Sequence, residues 1–433
     1  MMALDTGVRP ARGDASAPPP PGLPPAAGET GAPRLAAGAR LPVVVLTTFF
    51  PNPRDPNRTP FLRHLVRALD AHCDIRVVAP VPRRPQVGPW RDAEPVPATE
   101  RHDGVELDHP RYLAVPGLHW LSGWTYYLAV RRTLRALRAR HGPFVLHAHC
   151  AYPDAVGAAL AARELGAPLV VTVHGSDINA AAGQRLLRPQ IRWALRSAKR
   201  VLAVSRALQE RVAALTGIAP GRLACIPCAG FAPEVFRPRP RAPVRAALGV
   251  GADERLVLFV GHLFPVKAVD VLLRAWGARA RRGSLAACDR LVLVGEGGER
   301  ARLERLAREE GVAGSVSFLG PLPQKTVADW IAACDLLCLS SHSEGSPNVV
   351  VEALASGVPV VATRVGGVPD LVADGANGLL VPPADPAALA EALDAALARS
   401  WDAAAIAASV AHLTWSALGA RNHDALASVA LEG

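Results

Sequence analysis

Long uninterrupted apolar runs are absent from this 433-residue chain, although half of its residues are hydrophobic. No run approaches the roughly 20 apolar residues that a membrane-spanning helix needs, so we expect no integral membrane protein. The first 40 residues also lack the apolar core of a signal peptide and are rich in Pro, Ala and Gly. We therefore expect residues 1–40 to form a disordered tail.

Lysine is scarce: three of the 48 basic residues are Lys, and the rest are Arg. The formal net charge of +10 would attract nucleic acid or an anionic membrane. No basic stripe interleaved with aromatic residues accompanies a known reading motif, so we expect no nucleic-acid partner.

Paired metal-binding cysteines are also missing. Among the seven Cys, Cys225 and Cys228 have a spacing typical of redox or zinc sites, but no second pair completes four ligands. We interpret the cysteines as reduced, buried thiols, which suits a cytoplasmic enzyme.

What the chain does have is a repeated alternation of short apolar strands with helices. Its length exceeds what one hydrophobic core usually supports, which favours two domains. We predict strands at 43–46, 75–79, 144–147, 169–173 and 201–204, and again at 256–260, 291–294, 316–319, 336–339, 360–362 and 379–381. Short apolar runs separated by helices are typical of parallel sheets covered on both faces.

The pattern therefore predicts the α/β class, with two doubly wound, Rossmann-like domains facing across a cleft. We place the first domain at 41–236, a Pro/Arg-rich linker at 237–250, and the second domain at 251–400. A helical segment at 401–433 is expected to cross back to the first domain. Ligands of such folds bind beyond the carboxyl ends of the strands, so we expect the ligand site in the cleft.

The most informative loop follows the strand predicted at 336–339. Ser346 and Pro347 predict an N-cap and the first residue of a helix. The amides near Asn348 and Val349 would then offer an anion site at the helix N-terminus.

Two carboxylates flank that anion site, Glu344 in the loop and Glu352 in the helix. Carboxylates accept hydrogen bonds from hydroxyl groups, so the segment suits a ligand with both phosphate and hydroxyl groups. The alternative is a capped helix with one solvated Glu.

Two further strand ends point to the same cleft. Gly261 permits close backbone approach after the strand at 256–260, and Lys267 offers a point charge for phosphate oxygens. The loop is not a Walker A motif, and a solvated Lys remains the alternative. In the first domain, His174 follows the strand at 169–173 within the segment HGSD. His147 and His149 flank another strand end, and one of that pair is expected to be structural.

Together these segments resemble the retaining nucleotide-sugar glycosyltransferases of family 4 (group 1), which have the GT-B fold. The resemblance covers about residues 42–425 and is carried by EGSPNVVVEALASGVPVVAT, GGVPD, HGSD and DGANGLLVPPADPAALAEAL. The segment TTFFPNPRDPNRTPFLRHLVRAL is similar to the subgroup that makes bacterial surface polysaccharides, exopolysaccharides or teichuronic acid.

The resemblance implies a UDP- or GDP-sugar donor, a lipid-linked or saccharide acceptor and a donor-binding second domain. It implies that Glu352 binds the ribose hydroxyls, that Glu344 contacts the transferred sugar and that His174 faces that sugar. We expect catalytic roles for His174, Lys267 and Glu344. The expected donor-binding residues are Gly261, His262, Lys267, Gly345, Ser346, Asn348, Val349 and Glu352.

The chain departs from the family pattern at several positions. His262 replaces the usual Arg, Ala268 replaces the Gly after Lys267, and Asp370 replaces the common Glu of GGxPE. Thr59 and Pro60 stand where many relatives carry Gly. The Glu pair, Lys267 and His174 are retained, so we expect an active enzyme.

We expect catalysis by leaving-group stabilisation, without a cofactor and without a metal, because the chain contains no Asp-x-Asp motif. The alternatives are a nucleotide-sugar epimerase or hydrolase on the same fold, or a non-catalytic nucleotide-sugar-binding module.

A basic, aromatic stretch over 109–153 holds six Arg and no Asp or Glu. It suits an anionic membrane surface at the inner face of the plasma membrane, or else an ordinary packed helix.

Overall fold

The computed structural model describes residues 40–53, 55, 59–83, 96–179 and 181–430. The predicted tail therefore lies outside the described residues except for Arg40. None of the helices in the described ranges combines the length and the hydropathy needed to span a bilayer.

The first half of the chain builds a mixed sheet that is parallel except at one edge. Its strands are β1 (Leu41–Leu46), β2 (Cys73–Val78), β3 (Val81–Arg83), β4 (Thr99–His102), β5 (Val105–Asp108), β6 (Arg111–Leu113), β7 (Val145–His149), β8 (Leu169–Val173), β9 (Arg200–Ala203) and β10 (Leu223–Cys225). Eight of them form the sheet in the order β10-β9-β8-β7-β1-β2-β5-β4, and β3 pairs with β6 separately. Among the described strands of the large sheet, only β4 runs antiparallel to its neighbour.

The helices of this half are α1 (Pro60–Asp70), α2 (Ser122–His141), α3 (Val156–Leu165), α4 (Ser176–Asn179), α5 (Arg188–Ser197) and α6 (Arg206–Thr216). Helix α1 buries Leu62, Leu65, Val66 and Leu69, the spacing of one helical face. Helix α1 is therefore amphipathic, with this face turned to the core.

The second half builds a six-stranded sheet in which every pairing is parallel. Its strands are β11 (Arg255–Val260), β12 (Asp289–Val294), β13 (Val316–Gly320), β14 (Leu336–Leu339), β15 (Val360–Thr363) and β16 (Gly378–Val381), in the order β13-β12-β11-β14-β15-β16. The helices are α7 (Arg241–Leu248), α8 (Val269–Arg281), α9 (Arg300–Glu309), α10 (Gln324–Ala333), α11 (Asn348–Ala355), α12 (Pro386–Ala398), α13 (Ala403–Ser409) and α14 (Trp415–Ala430). The α/β class with two largely parallel sheets is thus confirmed.

The strand order places a topological switch point in each sheet. In the second sheet the chain runs outward from β11 and then returns to pair β14 on the other side of β11. In the first sheet the same reversal separates β1 from β7. Crevices at the carboxyl ends of such strands are the usual ligand sites of doubly wound sheets.

The segment predicted as a linker contains a helix. Helix α7 packs against α10, and buried Arg245 donates a hydrogen bond to Asp335 Oδ2 at 2.6 Å. At the other end of the chain, α14 packs against α1, where Gly419 lies against the backbone of Ala68. The domain boundaries themselves stay predictions.

Candidate active site

The two loops at the second switch point meet through an ion pair. Lys267 Nζ lies 2.6 Å from Glu344 Oε1, and Ser341 donates a hydrogen bond to the same oxygen at 2.5 Å. Ser340 donates to the backbone carbonyl of Lys267 at 3.1 Å, which fixes the loop after β11 to the loop after β14. The sequence singled out Lys267 and Glu344 separately, and the structure joins them.

Glycines allow three loops to touch at this point. A side chain at Gly366 would place its Cβ 1.7 Å from the Glu344 carbonyl oxygen, and Gly366 has φ +52°. A Cβ at Gly345 would lie 2.2 Å from the carbonyl oxygen of His174, in the loop after β8. Neither position accepts a larger residue without moving backbone, so these contacts define the meeting of the two sheets' loops.

Helix α11 begins one residue later than predicted. Pro347 is the N-cap, with extended backbone and no capping side chain, so the prediction that Ser346 caps the helix is wrong. Ser346 stands one position too early to reach the first-turn amides, and its side chain instead hydrogen-bonds the thiol of Cys228. The backbone N–H groups of Asn348 and Val349 form no hydrogen bond within the described ranges, and they remain available to an anion.

Two polar side chains of α11 have no protein partner in the described part of the chain. The Oδ1 atom of Asn348 is buried and accepts no hydrogen bond. The Glu352 carboxylate makes neither a hydrogen bond nor an ion pair, and burial raises its pKa to about 7. Buried polar groups are normally satisfied, so a buried acceptor and a half-buried carboxylate that both lack a partner on the first turns of one helix are typical of a ligand site.

Across the cleft, Asp177 organises the loop that carries His174. Its carboxylate accepts backbone N–H groups from His174, Gly175 and Ile178 at 3.1, 2.8 and 3.1 Å. It also accepts the N–H of Ala151, at 2.8 Å, and so ties the ends of β7 and β8 together.

The histidines at these strand ends form one contiguous chain. His149 Nδ1 lies 3.1 Å from His174 Nε2, and the rings of His147 and His149 are 4.2 Å apart between centroids. Burial lowers the pKa of all three rings, that of His147 to about 3. Both His147 and His149 are buried, whereas His174 retains some exposure.

A cleft of about 580 Å³ opens beside these loops. Its walls include Gly175, Ser205, Glu344, Gly345 and Gly366, whereas neither Lys267 nor Glu352 lines it. His262 is exposed, and its ring stacks on Phe264 with centroids 5.4 Å apart.

Sequence reasoning assigned no role to Asp177, Ser341 or Arg206. The backbone N–H of Arg206, the first residue of α6, donates to Asp370 Oδ2 at 2.8 Å, in the segment that follows β15. Asp370, a departure from the family's Glu, thus contacts the N-terminus of α6. Only Asp177 carried a signal in the sequence, as the last residue of HGSD.

Two other departures occupy backbone that glycine adopts readily. Thr59 has φ 40° and Ala268 has φ 48°, both in the left-handed region. A Gly at either position would avoid the steric cost that a Cβ incurs there.

Comparisons with known proteins assign this arrangement to a class. Solved structures that match over most of the chain include sucrose-phosphate synthase of Thermosynechococcus elongatus (TM-score 0.69, 23% identity, 89% of this chain and 98% of that one). Another is Anabaena Alr3699/HepE in complex with UDP (TM-score 0.67, 20% identity, 90% and 100%). The fold is that of the GT-B glycosyltransferases, as expected.

The family follows from the sequence matches. Residues 59–229 match the model described as Glycosyltransferase Family 4, and residues 254–399 match Glycosyl transferases group 1. The putative teichuronic acid biosynthesis glycosyltransferase TuaC of Bacillus subtilis (strain 168) is 31% identical over 364 residues, covering 82% of this chain and 88% of that protein. The D-inositol 3-phosphate glycosyltransferase of Frankia alni is 36% identical over 319 residues, covering 69% and 76%. The chain belongs to the group 1, family 4 glycosyltransferases and is a glycosyltransferase.

Proposed function

We propose that the chain transfers a sugar from a UDP- or GDP-sugar to an acceptor hydroxyl, with retention, in the synthesis of a bacterial surface polysaccharide or exopolysaccharide. The observation that carries the donor assignment is the pair of unpartnered polar groups on α11, the Glu352 carboxylate and Asn348 Oδ1. Both are acceptors, which is what ribose and sugar hydroxyl groups require. The solved complex of HepE with UDP supports the same class of donor.

In this proposal the diphosphate binds at the free amides of Asn348 and Val349 and beside Lys267. Lys267 is already paired with Glu344, so the donor's phosphate joins an existing ion pair rather than meeting an isolated cation. As the glycosidic bond breaks, negative charge grows on the leaving diphosphate, and a fixed ammonium stabilises it. The second carboxylate oxygen of Glu344, Oε2, takes no part in that ion pair and can accept a hydroxyl of the transferred sugar.

We propose front-face attack by the acceptor, with no covalent intermediate on the protein. Glu344 is a weak nucleophile here, because Lys267 and Ser341 both hydrogen-bond its Oε1. We also propose that protein groups alone hold the diphosphate. Among the described residues, no group of three or more His, Cys, Asp or Glu side chains is arranged to hold a metal ion.

Calorimetry with UDP and GDP tests the donor site. Glu352→Ala should weaken binding of the cognate nucleotide by roughly 10- to 150-fold, because a hydrogen bond to a charged group contributes about 1.5–3 kcal/mol. Glu309→Ala is the matched control, since Glu309 is exposed on α9 and forms no ion pair in the described ranges. Equal dissociation constants for the two variants would contradict the ribose role. Release of free sugar without any acceptor would instead indicate a hydrolase.

We further propose that the first domain docks on an anionic membrane surface to reach a lipid-linked acceptor. Trp124 and Leu128 of α2 are each 55% exposed, and Leu186 beside α5 is 62% exposed. Helices α2 and α5 both pack against α3, and Gln190 of α5 donates a hydrogen bond to the Trp120 carbonyl at 3.0 Å. These contacts join the exposed apolar residues into one surface.

Most of the positive charge of this surface lies on and beside α5. Arg131 and Arg135 of α2 contact Glu164 on α3, which reduces their attraction for lipid. Residues 178–209 contain seven basic residues and no Asp or Glu. Exposed Arg188 and Arg192 form no ion pair among the described residues.

Vesicle sedimentation tests the proposed binding of the first domain to an anionic membrane. The protein should bind phosphatidylglycerol vesicles and dissociate as salt rises, because such attraction is screened. Arg188→Ser with Arg192→Ser should weaken binding, whereas the same charge change at Arg305 and Arg308 on α9 should not. Equal binding to neutral vesicles would contradict an electrostatic dock.

A further inference from the structure

A basic cavity of about 440 Å³ lies at the amino ends of β9 and β10. Arg200, the first residue of β9, and Arg222, directly before β10, both line it. Strands β8, β9 and β10 run parallel, and the candidate active site uses loops that follow the carboxyl ends of β8 and β9. The cavity therefore lies at the opposite end of these strands, and a ligand in it does not share the donor site.

Four basic side chains line this cavity, and none of its described lining residues is acidic. The four belong to Arg196, Lys199, Arg200 and Arg222. Within the described ranges, none of them forms an ion pair. Like charges gathered around one cavity repel one another, and an anion bound among them removes that repulsion. The arrangement therefore favours a negatively charged ligand.

Backbone carbonyls hold two of the guanidinium groups in place. Arg222 donates from Nη2 to the carbonyl of Arg196 at 2.7 Å and from Nε to that of Lys199 at 3.3 Å. Arg196 donates from Nε to the carbonyl of Thr216 at 2.7 Å. These acceptors carry no formal charge, and Nη1 of Arg222 and both Nη atoms of Arg196 have no hydrogen-bond partner in the described part of the chain. Guanidinium groups fixed in this way keep N–H donors for phosphate oxygens.

The basic cavity continues along α5 into a second cavity of about 590 Å³. Arg196 and Ser197 line both cavities, and Arg188 and Arg192 line the second one. The described lining of the second cavity also contains no acidic residue. Because Arg188 and Arg192 belong to the surface proposed to meet anionic lipid, both a lipid headgroup and a soluble phosphate have access to the basic cavity.

We propose that the basic cavity is a second anion-binding site, separate from the donor site, and that it takes a phosphomonoester or a diphosphate group. Four positive charges exceed what a single carboxylate or phosphodiester neutralises. A phosphomonoester carries about two negative charges near pH 7 and presents three strong acceptor oxygens. A diphosphate has the same chemistry with more oxygens, and it matches several converging N–H donors.

Calorimetry with inorganic pyrophosphate tests the site without any sugar substrate. Gly221 lines the cavity, and a Cβ built on it meets no atom within 4 Å, so Gly221→Glu adds a carboxylate without a clash. This carboxylate should weaken pyrophosphate binding roughly 10-fold or more, because it pairs with the basic groups and repels the anion. Gly314→Glu is the matched control, since Gly314 is also exposed, lies at the centre of a similar short turn (Ala313–Ser315) and has open space around its Cβ. Lys199→Gln, at an exposed side chain, should weaken binding as well.

The two glycine variants change the net charge equally, so only the place of the new carboxylate differs. Equal pyrophosphate affinities in Gly221→Glu and Gly314→Glu, or no binding to the wild type, would overturn the proposal. The comparison is repeated in a Lys267→Ala background, which removes the phosphate contact proposed at the donor site. The difference between the glycine variants should persist there, so this site and the donor site fail independently.

Vesicle sedimentation identifies the source of the phosphate group. Phosphatidylcholine vesicles that contain phosphatidic acid present a phosphomonoester on a membrane. If the ligand is a lipid headgroup, Gly221→Glu should sediment less with these vesicles than Gly314→Glu does, and pyrophosphate should release the wild type. If the ligand is a soluble diphosphate, the two variants should sediment equally and still differ in their affinity for pyrophosphate.

Discussion

Replacing Glu352 by Gln should stabilise the ligand-free protein in a strongly pH-dependent way. Burial raises the pKa of this carboxyl from 4.5 to about 7. The folded state therefore binds the proton more tightly than the unfolded state, and wild-type stability falls as pH rises from about 4.5 to about 7. Below that window the carboxyl is protonated in both states and the loss of stability is absent, whereas above it the loss is complete. Gln has no such proton to lose, so the stability of the variant does not fall for this reason.

The magnitude follows from the two pKa values. A separation of about 2.5 corresponds to about 3.4 kcal/mol, and the partial exposure of Glu352 lowers this, so we expect about 1–3 kcal/mol. The burial of the amide itself adds a contribution that does not vary with pH. The diagnostic quantity is therefore the difference between pH 8 and pH 4.5, not the stability at either value.

Thermal unfolding from pH 4.5 to 8.5 provides the measurement. For a chain of this size about 1 kcal/mol shifts Tm by about 1 °C, so the Glu352→Gln advantage should grow by about 1–3 °C over the range. Glu309→Gln, on exposed α9, should show no such growth. Parallel pH curves for the wild type and both variants would refute the desolvation of Glu352.

Donor binding should have the opposite pH dependence from stability. The ionised carboxylate is the stronger acceptor for ribose hydroxyls, so wild-type affinity should rise as pH passes through about 7. Calorimetry with Glu352→Gln should show a flat profile. A wild-type affinity that falls over this range would contradict the ribose role.

Three further predictions concern the loops around the site. Lys267→Ala should lower kcat roughly 100-fold or more with a smaller change in KM. The control substitution Lys325→Ala, at an exposed lysine, should leave both constants unchanged. Loss of wild-type activity in EDTA would contradict a diphosphate held by protein groups alone. Gly345→Ala would place its Cβ 2.2 Å from the His174 carbonyl oxygen, so it should impair turnover strongly without a comparable loss of Tm. A near-normal kcat would show that the loops carrying Gly345 and His174 separate without cost to turnover. Ala268→Gly should change the free energy of unfolding by less than about 1 kcal/mol, because relief of its left-handed backbone (φ 48°) offsets the lost methyl group. Ala275→Gly, at a buried position of α8, should lower the free energy of unfolding by about 2 kcal/mol. Equal unfolding free energies for the two glycine variants would show that Ala268 is unstrained.

The elements that the sequence located best are those whose signals are local. The strands predicted at 169–173 and 336–339 match β8 and β14 at both ends, because apolar runs with sharp boundaries are read within a few residues. The cap of α11 was misplaced by one residue, since both Ser346 and Pro347 have good propensity near a helix start. The helix within 237–250 was missed, because Pro and Arg there obscured a segment that is fixed by the contact of Arg245 with Asp335.

By itself the sequence determined the α/β class, the two strand-rich halves and the strand-end loops that carry Lys267, Glu344 and His174. Only the tertiary structure decided which of these residues meet. Lys267 and Glu344 are 77 positions apart, and His149 and His174 are 25 apart. Their contacts exist because β14 pairs with β11, and β8 pairs with β7. Strand order and register depend on the packing of the whole sheet, so no local pattern encodes which side chains its carboxyl edge brings together.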